Sequence, residues 1–183
     1  MGSVVTCDEA LHLRLKAAHM RLGFGVGAND VELVLRSLAS MELRYRAQDR
    51  AARVLATWLG EQPAVRQVLH PALPGAPGHG HWQSVCAGGD AEGLAAGLFS
   101  VVLDAKFSQV QVDAFCDALR LFKIGYSWGG PISLVMPYEL ASMRQQSTPH
   151  IEQGPIVRFS VGLEDVGDLR QDLAQALAVL PAS

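Results

Sequence analysis

Hydrophobic and polar residues alternate over residues 156–161, near the carboxyl end of the chain. Because successive side chains of a strand point to opposite faces, this alternation predicts a strand with one apolar face. That face carries Val157, Phe159 and Val161. On the opposite face, Arg158 stands between Ile156 and Ser160. Such a cation is either an exposed side chain on an edge strand or a group that holds a planar anion through two hydrogen bonds. The pattern leaves both interpretations open.

Helical spacing of leucines predicts a first helix over residues 8–22. Thr6 and Glu9 have the spacing of a capping box, so Thr6 is the expected N-cap, and Gly23 is the expected end of the helix. Residues 1–5 have the composition of the end of a strand. The glycine-rich residues 23–27 precede another helix, but their spacing matches no phosphate-binding loop, so a flexible connector is expected.

A second, much longer helix is predicted from Asn29 to Gly60, with Asn29 and Glu32 as its capping box. About 30 residues is well above the usual helix length, and such helices commonly bridge domains or subunits. A third helix is expected after Ser108, which has Gln111 in the box position. Its expected buried stripe comprises Val110, Val112, Phe115, Leu119 and Phe122. The last helix is expected over 163–180.

Further strands are predicted over 65–69, 97–104, 124–126 and 131–136, with loops over 70–82 and 86–96 and irregular structure over 137–155. Strands joined by short turns, with one helix among them, favour a mostly antiparallel sheet covered by helices. The expected fold is therefore of the α/β class, an α+β-like domain preceded by a long interdomain helix.

Composition and charge narrow the function classes. Hydrophobic residues make up 49% of the 183 residues and charged residues 18%, so a sizeable core is expected. The net charge is -3, and nucleic acid is therefore not an expected partner. No apolar run reaches the roughly 20 residues that span a bilayer, and no membrane association is expected. Cys7, Cys86 and Cys116 are odd in number and lack metal-site spacing, which is typical of reduced cytoplasmic cysteines.

Two segments carry candidate chemistry. His79 and His81 are separated by one residue, but without a nearby carboxylate or thiol they are expected to be loop histidines, and no metal is expected. The strand over 124–126 breaks at two glycines, which would leave Ser127 and Trp128 at a strand end, where ligands are often held. The alternative is a hairpin with a packed tryptophan.

Residues 123–130 (KIGYSWGG) and 156–165 (IVRFSVGLED) together resemble the C-terminal region of the Cys/Met-metabolism pyridoxal-phosphate enzymes. Residues 70–79 (HPALPGAPGH), 97–100 (GLFS) and 33–38 (LVLRSL) are also similar to that family. Within it, the YSWGG motif resembles the cystathionine β-lyase branch. The resemblance implies a small C-terminal domain over 61–183, a linking helix over 30–60 and, over 1–29, part of the large cofactor-binding domain.

The resemblance also implies a site. Arg158 falls at the position that binds the substrate α-carboxylate, and Tyr126, Ser127 and Trp128 fall beside the substrate. The implied reaction is β-elimination from L-cystathionine, with pyridoxal 5'-phosphate as cofactor, in a cytoplasmic homo-oligomer, a tetramer in this family. Other trans-sulfuration reactions of the γ-lyase and γ-synthase type, and a non-catalytic carboxylate-binding or assembly domain, remain alternatives.

The chain has three lysines, Lys16, Lys106 and Lys123, and none lies in the family's Schiff-base motif. No catalytic residue is therefore assigned, and covalent cofactor attachment at the family position is not expected. The comparison implies the C-terminal half of such an enzyme, inactive alone, whose apolar surface would promote association. Pro131 and Ile132 depart from the family pattern, and residues 86–96 resemble an inserted loop.

Overall fold

A computed structural model describes residues 4–87, 93–143 and 149–181, apart from the side chains of Ala141 and Ser142. The chain forms two compact units, Met1–Glu42 and Leu43–Ser183. The described helices are α1 Glu9–Leu22, α2 Ala28–Leu38, α3 Met41–Gly60, α4 His79–Cys86, α5 Gln109–Ala118, α6 Leu140–Met143 and α7 Val166–Leu177. The strands are β1 Val65–Leu69, β2 Leu98–Leu103, β3 Lys123–Ile124, β4 Leu134–Tyr138 and β5 Ile156–Ser160.

The first helix is present, but its predicted N-cap is wrong. Asp8 caps α1, because its carboxylate accepts the backbone N–H of Leu11 at 2.8 Å, whereas Thr6 accepts only the backbone N–H of Asp8. Gly23 ends the helix as predicted, in the left-handed conformation at φ 67°. The predicted strand end at 1–5 lies partly outside the described residues, and Val4 and Val5 are not in a strand.

The single helix predicted from Asn29 to Gly60 is wrong, because the chain forms two helices there. A turn at Ala39 and Ser40 separates α2 from α3. The predicted capping box is also absent: the N-cap of α2 is Gly27, which offers no side chain, and Asn29 lies inside the helix. Helical periodicity continued through the turn, so hydrophobic spacing alone did not reveal the break. The predicted domain boundaries at 29 and 60 remain predictions.

The five strands form one sheet in the order β1-β2-β5-β4-β3. Neighbouring strands are antiparallel, except for the parallel pair of β3 and β4. The predicted mostly antiparallel sheet is therefore confirmed, and β5 is its central strand. In the register, Arg158 of β5 pairs with Ser100 of β2 and with Met136 of β4.

The apolar face predicted for β5 is confirmed as the main core of the second unit. Phe159 stacks on Phe99 of β2 and packs edge-on against Phe122, at ring-centre distances of 5.4 Å in both pairs. Helices α3, α5 and α7 supply the other buried side chains. The largest of these are Leu55, Leu59, Phe115, Leu169 and Leu173. Arg158 projects from the opposite face of the sheet.

Several predicted boundaries shift. The capping box of Ser108 and Gln111 is confirmed, but Val110, predicted to be buried, is 77% exposed. Part of the predicted loop over 70–82 is the start of α4. Strand β4 begins at residue 134 rather than 131, and the last helix, α7, begins at residue 166 rather than 163, with Asp165 as its N-cap. A short helix, α6, interrupts the segment predicted to be irregular. Residues 88–92 of the predicted inserted loop lie outside the described residues.

Candidate functional site

Arg158 lies in the middle of the sheet rather than at its edge. Its strand, β5, pairs with β2 on one side and β4 on the other, so the edge-strand interpretation is wrong. The side chain is half-buried. A guanidinium keeps its charge at any physiological pH, so the sheet presents a fixed cation on the face away from the main core.

The guanidinium of Arg158 is held by the segment that follows β3. Nη2 of Arg158 donates to the backbone carbonyl oxygens of Gly125, Tyr126 and Ser127 at 3.2, 2.8 and 3.4 Å. Nε of the same side chain is buried and has no hydrogen-bond partner among the described residues. A buried, unpaired N–H carries a desolvation cost that a bound acceptor would relieve. The backbone of residues 125–127 thus orients the arginine, and its buried Nε–H has no acceptor among the described residues.

Two aromatic rings flank this cation. The Trp128 ring centre lies 6.0 Å and the Tyr138 ring centre 5.6 Å from Cζ of Arg158, within the range of a cation–π interaction. The predicted alternative of a hairpin with a packed tryptophan is wrong, because Trp128 is 66% exposed. Tyr126 and Ser127 are exposed as well. All four residues predicted for the site are therefore brought together, although their roles stay predictions.

Contacts that the sequence did not reveal hold the Gly129–Gly130 turn. The Ser160 hydroxyl accepts the backbone N–H of Gly129 at 3.3 Å, and the buried Gln48 of α3 donates to the carbonyl of Gly130 at 2.8 Å. Gly129 has a φ of 72°, a conformation that residues with a Cβ rarely adopt. Ser160 could have been found, because it lies two residues from Arg158 on the same face; Gln48, 82 residues from Gly130, gave no sequence signal.

The two histidines considered as metal ligands, His79 and His81, lie on α4. His79 stacks on Trp82, and its Nδ1 lies 2.8 Å from the carbonyl oxygen of Pro71. His81 is exposed on α4. No group of three His, Cys, Asp or Glu side chains suited to a metal occurs within residues 4–87, 93–143 and 149–181. No helix in that part of the chain could cross a membrane.

The chain matches the family model described as Cys/Met metabolism PLP-dependent enzyme over residues 1–178. A putative cystathionine beta-lyase from Rhizobium johnstonii is 39% identical over 92% of this chain, and an L-alanine/L-glutamate racemase from Wolbachia pipientis is 34% identical over 99%. A solved methionine gamma lyase from Micromonospora echinospora superposes with a TM-score of 0.77 at 32% identity, over 95% of this chain and 45% of that structure.

The fold and these relatives define a class, the C-terminal domains of pyridoxal-phosphate enzymes. The chain belongs to the Cys/Met metabolism PLP-dependent enzyme family. Cystathionine beta-lyases from Bordetella avium and Escherichia coli also match it, at 38% and 33% identity over 97% of the chain. The chain spans 41% of the length of the Rhizobium relative and 43% of the Wolbachia and Bordetella relatives.

The side chains that contact Arg158 do not fit covalent attachment of pyridoxal phosphate, because that attachment needs a lysine amine near the substrate. In the second unit, Nζ of Lys123 donates to the carbonyl oxygen of Arg120, and Nζ of Lys106 lies 5.0 Å from the Phe107 ring. Lys16 belongs to α1, in the first unit. Among the described residues, the contacts of the Arg158 guanidinium are therefore with the backbone of residues 125–127 and two aromatic rings, and none is with a lysine amine.

Proposed function

We propose that this chain belongs to a pyridoxal-phosphate-dependent carbon–sulfur lyase of the cystathionine β-lyase type, and that it binds the α-carboxylate of the substrate. One observation carries the proposal. Arg158 is a half-buried cation at the centre of the sheet, between the Trp128 and Tyr138 rings, with a buried Nε that lacks a partner among the described residues. Fixed cations with a planar fork suit a carboxylate. The proposed assembly is a homo-oligomer, following the family.

In the proposed reaction, the Cβ–S bond of L-cystathionine breaks and, with the addition of one water molecule, homocysteine, pyruvate and ammonia are formed. The cofactor, when bound, supplies an electron sink for the negative charge that develops at Cα. The role of Arg158 is to hold the carboxylate, which fixes the orientation of the bonds at Cα. The exposed Tyr126, Ser127 and Trp128 lie where they could contact the remainder of the amino acid. Because none of the three lysines lies in the family's Schiff-base motif, the chemical steps themselves are not assigned to this chain.

Carboxylate binding by Arg158 would involve the backbone of residues 125–127. A guanidinium holds a carboxylate through two parallel hydrogen bonds, either from Nε and Nη2 or from Nη1 and Nη2. Both arrangements use Nη2, which in Arg158 already donates to three backbone carbonyls. A carboxylate held by two hydrogen bonds therefore competes with at least one of those carbonyls. Since the same segment leads directly to Trp128, substrate binding would change the backbone next to that ring.

The names of some relatives favour a second candidate, a γ-type reaction on the same substrate. A cystathionine gamma-lyase from Bacillus subtilis and the solved methionine gamma lyase match the chain at 32% identity. The two reactions break different bonds of L-cystathionine. Cleavage at Cβ gives homocysteine and pyruvate, whereas cleavage at Cγ gives cysteine and 2-oxobutyrate. The oxo acid that accumulates therefore distinguishes the two candidates.

A fusion protein tests the proposal. The part of the Bordetella avium enzyme that precedes its match to this chain is joined to Met1, the product is loaded with pyridoxal phosphate, and oxo acids are measured after addition of L-cystathionine. We expect pyruvate to form. Arg158→Ala should lower kcat/KM by about a hundredfold or more, because a partly buried, charge-assisted contact is lost.

Arg158→Lys is the matched control, since it keeps the charge but loses the fork, and it should fall between the wild type and the alanine variant. Cofactor absorbance and circular dichroism establish that each fusion is folded and loaded. Accumulation of 2-oxobutyrate would favour the γ-type candidate. A folded, loaded fusion that forms neither oxo acid would contradict the proposed function. An alanine variant with an unchanged rate would contradict the role of Arg158.

A further inference from the structure

Tyr138 lies beside Arg158 through the geometry of the sheet. Met136 of β4 pairs directly with Arg158 of β5, and Tyr138 follows two residues later. Because side chains two apart on a strand share a face, Tyr138 projects from the same face as Arg158. The register places it diagonally across from the arginine, a separation that aromatic and long side chains can span.

The Tyr138 ring gives the Arg158 guanidinium a support that does not depend on the loop after β3. The ring centre lies 5.6 Å from Cζ of Arg158, somewhat closer than the ring of Trp128. Trp128 and the three carbonyl acceptors belong to residues 125–128, whereas Tyr138 belongs to a strand of the sheet. When a ligand competes for Nη2, the loop contacts change, but a ring fixed on the sheet does not have to move.

We infer that Tyr138 is a positioning residue, whose ring holds the Arg158 guanidinium in the orientation that receives a carboxylate. The inference rests on the proposed function, in that the carboxylate is the substrate's. The interaction uses the face of the ring and not its hydroxyl group. Phenylalanine should therefore replace Tyr138 with little loss, whereas leucine, which has no π system, should not.

Arginine side-chain NMR of the full 183-residue chain tests the positioning. The Nε–Hε resonance of Arg158 is assigned from its loss in Arg158→Lys, and its shift reports the neighbouring rings. We expect Tyr138→Leu to move this resonance and Tyr138→Phe to leave it nearly in place. Met136→Leu is the matched control, because Met136 lies on the same face and pairs with Arg158 but contributes no ring. Thermal unfolding establishes that each variant is folded.

Titration of the same samples with L-cystathionine tests the consequence for binding. Loss of a cation–π contact at a partly exposed site should weaken the binding of L-cystathionine about three- to fivefold in Tyr138→Leu. Tyr138→Phe, which keeps the ring, should bind about as tightly as the wild type. An unmoved Arg158 resonance in the leucine variant, or equal losses in both variants, would overturn the inference. If the wild type itself binds no L-cystathionine, the proposed function fails, while the Arg158 resonance still decides whether Tyr138 positions the side chain.

Discussion

At the residue scale, His70 has an environment that should make stability depend on pH. The side chain is fully buried after β1, and its Nδ1 accepts the backbone N–H of Ala72 at 3.2 Å. An accepting Nδ1 places the proton of the neutral ring on Nε2, which has no partner among the described residues. Burial, assisted by the Arg53 cation and opposed by Asp49, lowers the pKa of His70 below its usual 6.5.

This lowered pKa predicts a loss of stability in acid. Below pH 6.5 the unfolded chain binds a proton at His70 that the folded chain does not, so the free energy of unfolding decreases as the pH falls through that window. The contribution can reach about 1.4 kcal/mol per pH unit. Urea unfolding between pH 5 and 7.5 measures it.

In His70→Asn this pH slope should diminish, because the titrating group is gone while an oxygen that can accept from Ala72 remains. His81→Asn, which removes an exposed histidine, is the control and should leave the slope unchanged. If the slope persists in His70→Asn and disappears in His81→Asn, the assignment to His70 is wrong.

At the scale of elements, one buried carboxylate joins α7 to the segment after α5. Asp172 accepts the backbone N–H groups of Arg120 and Leu121 at 2.9 and 2.8 Å, and Gln175 donates both to Asp172 and to the carbonyl of Ala118. Residues 119–122 connect α5 to β3 and lie outside the helices and strands. Asp172 therefore provides acceptors for partly buried backbone N–H groups that lie outside regular structure.

We expect Asp172→Ala to lower the free energy of unfolding by about 2–4 kcal/mol, because removal of the buried carboxylate leaves several partly buried N–H groups without their acceptor. Asp168→Ala is the matched control on the same helix, since Asp168 is exposed, and it should change stability by less than about 1 kcal/mol. Denaturant unfolding measures both variants. Equal effects in the two would mean that the buried hydrogen bonds of Asp172 contribute nothing measurable.

At the scale of the whole molecule, the two units differ in how they are stabilised. The hydrophobic core cluster lies between Ala52 and Leu180, entirely within the second unit. Neither α1 nor α2 buries a side chain. Apolar side chains in these helices are instead exposed, among them Leu13, Met20, Leu22, Leu33 and Leu35. Short helices without tertiary packing are marginal in water, so the second unit should carry nearly all the stability.

We therefore expect residues 43–183 to fold without residues 1–42. The truncated chain should retain a cooperative urea transition with a midpoint close to that of the full chain, because the core is kept whole. Hydrogen exchange of the full chain should show protected amides in β2 and β5 and fast exchange in α1 and α2. A truncated chain that is unfolded, or equal protection in both units, would contradict this division of stability.

The sequence by itself determined the features that depend on local pattern. Alternation over 156–161 determined which face of β5 is apolar, the glycine after α1 determined where that helix ends, and Ser108 with Gln111 determined the start of α5. The motifs at 123–130 and 156–165 were enough to indicate the family, because their residues stand close together in the chain. Each of these signals lies within about ten residues, so neighbouring positions specify it without the rest of the fold.

Only the tertiary structure decided the features that depend on distant residues. The helix break at Ala39–Ser40 interrupts a continuous apolar pattern, and strand order alone made Arg158 central rather than peripheral. Tyr138 and Gln48 joined the site through strand register and helix packing. The physical reason is that a side chain's environment depends on which elements pack around it, and those contacts join residues that are tens of positions apart in the sequence.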